Sequence, residues 1–113
     1  MKVNFNGFNE KTATLACDNT VQAGKPVTLS ENGTVTAAAS GSVPAGIAKA
    51  VREGYAAVQL HGYVTVPYSG TLTLGLCNVQ ADSAGGIAKN TAGRAAIVLD
   101  IDTTAKTAGI DLI

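Results

Sequence analysis

The sequence predicts an all-β protein: a small β-barrel or β-sandwich of short antiparallel strands, preceded by an extended N-terminal arm. Three observations lead there. Runs of four to eight residues rich in Val, Thr, Ile and Tyr alternate with clusters of Gly, Asn, Asp and Ser, which is how short strands are punctuated. Asn32-Gly33 lies between two alternating runs and marks a hairpin. The stretch YAAVQLHGYVTVPYSG, residues 55–70, alternates apolar and mixed positions without a slip. Many short strands at this spacing build barrels and sandwiches.

Residues 1–11 are polar and Asn-rich, with Phe5 and Phe8 as the apolar anchors, and read as an arm ahead of a single domain over 12–113. TATLAC (12–17) puts Ala13, Leu15 and Cys17 on one strand face. AGKP (23–26) is a turn. VTLSENGTVTA (27–37) is the clearest hairpin, with Asn32 and Gly33 supplying the two positive-φ positions of a type I′ turn. ASGSVPAG (39–46) is a loop. IAKAVRE (47–53) has Ile47 and Val51 at helical spacing, but Gly46 and Gly54 confine it to about two turns. Alternation fits as well, and a strand is favoured.

In the 55–70 stretch, Ala56, Val58, Leu60, Gly62, Val64, Val66 and Tyr68 form an almost wholly apolar set. Tyr55, Ala57, Gln59, His61, Tyr63, Thr65 and Pro67 form the mixed one. At about 3.3 Å per residue the run would span about 43 Å if straight. That is too long for a domain of this size, so a bend is expected at Gly62. Pro67 then ends the pairing or sits on an edge. Further strands follow at 74–82, 85–90, 94–102 and 108–113. GKPVTLSENGTVTAA and GLCNVQADSAGGIAKN share a layout of glycine, strand, polar turn and strand. The match is too weak to define a repeat, but it suggests a sheet built of similar hairpins.

Composition narrows the function. The chain has 113 residues, 46% of them hydrophobic, with no Trp and two Phe, so the core is made of small side chains. Eight basic residues balance eight acidic ones and are scattered singly, which disfavours nucleic acid and anionic membranes. No apolar run reaches the roughly 20 residues of a membrane-spanning helix. The first residues, MKVNFNGFNEK, lack the apolar centre of a signal peptide, which suggests assembly in a cytoplasm. In such a reducing compartment Cys17 and Cys77 are expected as free thiols. With one histidine they do not match a zinc site, and neither metal nor cofactor is expected.

The candidates for chemistry are few. His61 has no nucleophile motif beside it, so the strip Tyr55, Gln59, His61 and Tyr63 reads as a protein-contact surface, for which tyrosine is well suited. Asp100 and Asp102 share a strand face and are expected to be solvated and to start a turn. DSAGG (82–86) precedes no helix and is not a phosphate loop. The expectation is a structural or binding protein, not an enzyme.

The order of VQAGKPVTLSENGTV, PAGIAKA, AAVQLHGYVTVPYSG and a closing AGIDLI resembles the capsid decoration, or cement, proteins of tailed bacteriophages. The likeness covers the chain from about Thr12 to its end. It implies a β-rich homo-oligomer, with a trimer favoured, on the outside of the virion head, bridging and stabilising the major capsid protein. It also suggests that Phe5 and Phe8 order on the capsid. Another virion structural module, such as a tail-tube or head-fibre component, and a carbohydrate-binding β module remain alternatives.

Overall fold

The computed structural model describes residues 11–113, and these are all-β, with no helix among them. Nine strands run in chain order: β1 (Lys11–Cys17), β2 (Pro26–Glu31), β3 (Thr34–Ala37), β4 (Gly46–Arg52), β5 (Tyr55–Pro67), β6 (Gly75–Ala81), β7 (Ile87–Lys89), β8 (Arg94–Asp102) and β9 (Thr107–Leu112). Lys11, expected in the arm, is the first residue of β1 and pairs with His61. The ambiguous 47–53 segment is a strand, β4.

The sheet runs β1-β3-β2-β4-β5-β9-β8-β6-β7, and β1 also pairs with β5. That extra pairing closes β1, β3, β2, β4 and the first half of β5 into a five-stranded barrel. The second half of β5 continues through β9, β8, β6 and β7. This second ring returns to β5 through a parallel bridge between Tyr68 and Ile87. The Ser69 N–H donates to the Ile87 carbonyl at 2.9 Å beside that bridge.

Each ring encloses its own core. Val21, Val27, Val35, Ala48, Ala56 and Val58 fill the first. Val66, Tyr68, Val79, Ile87, Val98, Ile110 and Leu112 are among those filling the second. Ile47 crosses over: it stands on β4 but packs in the second core. Cys17 packs on the first core and Cys77 lies in the second, both as free thiols.

The two rings are the same structure twice. Five consecutive pairs from Thr12–Gln59 to Ala16–Tyr55 recur as Tyr63–Asp111 to Pro67–Thr107, displaced by 51 residues on one strand and 52 on the other. The parallel pair Cys17–Val35 recurs as Tyr68–Ile87. A register slip between Ala48 and Ala50 recurs between Val98 and Asp100. Gly24 and Gly33 have positive φ of 84° and 67°, and their counterparts Gly75 and Gly85 have 94° and 84°. The faint likeness of two hairpins in the sequence is therefore the visible part of a duplication that runs through the described residues.

β5 joins the two units. Its 13 residues would exceed the molecule's longest dimension, 38 Å, if they ran straight. Gly62 has φ 97°, a conformation that L side chains rarely adopt, and the switch from first-barrel to second-barrel partners falls at this residue. Pro67 is the last residue of β5, where a missing N–H costs least.

One turn differs from expectation. Among the described non-glycine residues only Glu53 and Lys106 have positive φ, so Asn32 does not. The 27–37 hairpin uses Gly33 alone, and a register slip between Leu29 and Glu31 absorbs the difference. The two-residue turn with both φ positive is Glu53-Gly54, at 48° and 84°, closing β4 onto β5 between Arg52 and Tyr55.

Candidate functional site

The strip predicted along β5 is divided by the fold. Tyr55 is 60% exposed at the start of the strand, and His61 is exposed at the bend. Tyr63 is partly buried. Gln59 is fully buried, which removes it from any contact surface. Its cross-strand neighbour Ile47 packs in the second core, so Gln59 stands on the face of the first barrel that the second barrel covers. Its Nε2 donates to the carbonyls of His61 (3.1 Å) and Tyr63 (2.8 Å), bracing the backbone on either side of Gly62. Its Oε1 is buried without a hydrogen-bond partner. Phe5 and Phe8 lie outside the described residues.

Tyr63 makes a defined contact on the outer face of the second barrel. Its hydroxyl donates to Asp100 Oδ1 at 3.2 Å. A Cβ on Gly109 would strike both groups, so glycine is what lets phenol and carboxylate meet there. Desolvation pushes the phenol above its ordinary value of 10.0; Thr65 opposes this through a hydrogen bond, and the Asp100 charge adds to it. Asp102 starts a turn, as expected: its Oδ1 accepts the N–H groups of Thr104 and Ala105, each at 3.0 Å.

Arg94 is the site residue that sequence reasoning missed. Nη1 donates to the Ala45 carbonyl and Nη2 to those of Leu60 and Ile113. These carbonyls precede β4, lie within β5 and follow β9, so one guanidinium ties the two barrels together. Its burial lowers its affinity for the proton, although an arginine stays charged under any ordinary condition. Arg94 shares the inward parity of Ala96 and Val98 on β8, and that parity was the signal available in the sequence.

The remaining features are surfaces. Leu29, Leu74 and Leu76 are 59%, 66% and 73% exposed. A shallow groove of about 560 Å³ lies beside Tyr68, Leu72, Leu74, Leu99 and Ile101. Lys106 reaches along it, with Nζ 4.6 Å from the centre of the Tyr68 ring. A second groove, about 430 Å³, lies on the first barrel against Thr14, Ala50, Arg52, Tyr55 and Ala57. Among the described residues no group of three or more His, Cys, Asp or Glu side chains could hold a metal ion. No helix among the described residues is long and apolar enough to cross a membrane. No family model matches the chain, and a search of curated proteins finds no match.

Proposed function

We propose that the protein is a non-catalytic decoration protein of a bacteriophage head, binding the outer surface of the major capsid lattice as a homo-oligomer, with three copies favoured. The motif order from Thr12 to Ile113 supports this reading. The geometric observation that carries it is the pair of leucines on the second barrel, Leu74 and Leu76, two-thirds or more exposed on a small body with its own packed cores. The two leucines border separate grooves on either side of Gly75, and large exposed apolar side chains such as these are what a partner surface covers. Sparse, balanced charge suits a coat in which many copies lie close together, because self-repulsion stays low. Many modest contacts then add up across the lattice.

The test is to mix purified protein with undecorated heads of the matching phage. Cryo-EM should show copies at regular lattice positions, and the heads should melt at a higher temperature. Heads that stay bare, with unchanged melting, would end this reading.

A further inference from the structure

We infer that the groove on the first barrel is a socket for an aromatic side chain presented by an acidic segment of a protein partner. The duplication carries the argument. On the second barrel the Tyr63 phenol lies among Thr65, Asp100 and Gly109. Strand register makes Thr14, Ala50 and Ala57 their first-barrel counterparts. Those three residues line the groove of about 430 Å³. The counterpart of Tyr63 is Thr12, whose side chain is too short to reach across as a phenol does. One unit thus fills the position with its own ring, and among the described residues of the other none fills it.

The charges differ in a way that selects the occupant. In the second barrel the carboxylate of Asp100 receives the phenol hydroxyl. In the first, Ala50 stands there, and the cation of the groove is Arg52, two residues along the same strand β4. Glu53 is the one acidic side chain lining it. A guanidinium at the rim stacks on an aromatic face and donates to a carboxylate. The occupant is therefore a tyrosine or phenylalanine ring with an acidic neighbour. Tyr55, exposed at the groove edge, offers a further ring face. This inference rests on the decoration reading only in naming the partner, which would be the major capsid protein.

The experiment uses the full chain, isotope-labelled for NMR, titrated with the probe acetyl-Asp-Tyr-amide. Shifts confined to the amides of Thr14, Ala50, Arg52 and Ala57, saturating at roughly millimolar probe, are expected for a fragment of this size. Acetyl-Asp-Leu-amide should leave them in place. Ala57→Leu fills the groove, and Thr12→Tyr rebuilds the second-barrel arrangement from outside its lining. Each should abolish the shifts while the rest of the spectrum keeps its native dispersion. No shifts with the tyrosine probe, or equal shifts with the leucine probe, overturn the socket. Shifts that appear only after Phe5→Ala or Phe8→Ala also overturn it, because the chain's own first residues would then be the occupant. A self-association lost in Ala57→Leu would assign the groove to a second copy and overturn it likewise. Heads separate the two proposals: a wild type that binds the probe but ignores heads removes the capsid reading and leaves the socket. Equal decoration by wild type and Thr12→Tyr removes the socket as the capsid contact.

Discussion

At the scale of single residues, short polar side chains fasten the ends of strands. Asp18, just past β1, accepts the Thr36 hydroxyl from β3 at 2.7 Å and the Thr20 N–H at 3.0 Å, with the Thr20 hydroxyl on the same carboxylate. These bonds hold its pKa below the usual 3.8, the Thr20 hydroxyl contributing most. A carboxylate whose folded pKa is depressed stabilises fully above its unfolded pKa and stops doing so as pH falls through the folded value. Melting temperature measured against pH should therefore show the wild type losing its advantage over Asp18→Asn below about pH 4. Parallel curves for the two proteins would mean that the network adds nothing.

At the scale of elements, β5 is the decisive strand. A side chain at Gly62 must take φ near 97°, where a β-branched residue is strongly disfavoured. Gly62→Val is expected to cost about 2–3 kcal/mol in denaturant unfolding, and His61→Ala, at an exposed position, less than about 0.5 kcal/mol. Equal losses would contradict the bent-strand account. The bend was legible in the sequence because alternation and length conflict in a way that only a kink resolves. β8 was legible to the residue, since RAAIVLDID is bounded by Gly93 and the turn after Asp102. The burial of Gln59 was not. Alternation places it on the outer face of the first barrel, and only the second barrel, built from residues far along the chain, covers it there beside Ile47. The backbone of Asn32 was misread for a related reason. A register slip in the strand before it decides the turn, and slips leave no mark in composition.

At the scale of the whole molecule, the question is what makes two barrels one body. Continuous β5, the crossing side chain of Ile47 and the three carbonyls held by Arg94 do so. Removing the guanidinium leaves the part-buried carbonyls of Ala45 and Leu60 without their charged donor. Arg94→Met should cost about 3 kcal/mol and Arg94→Lys should recover only part of it, because an ammonium cannot span three separated acceptors. Hydrogen exchange in Arg94→Met should show the barrels opening at different free energies where the wild type opens as one unit. Uniform exchange in the variant would assign the coupling to β5 alone. The duplication itself was barely legible. Equivalent positions keep their strand direction and ladder partners but often neither size nor identity, as with Ala13 and Val64 or Thr12 and Tyr63.

The seam between the units falls inside a strand, at Gly62, and not in a linker. Residues 11–61 hold every strand of the first ring and residues 62–113 every strand of the second. The chain is in effect a dimer of half-length proteins welded end to end, and its association no longer depends on concentration. Such a covalent pair is released from the equality that symmetry imposes on identical subunits. One half can spend its outer face on a tyrosine and carboxylates of its own while the described residues of the other leave a groove there. Asymmetry of this kind lets a single gene product present two unlike surfaces in a fixed orientation, which separate identical copies meeting about a twofold axis cannot do.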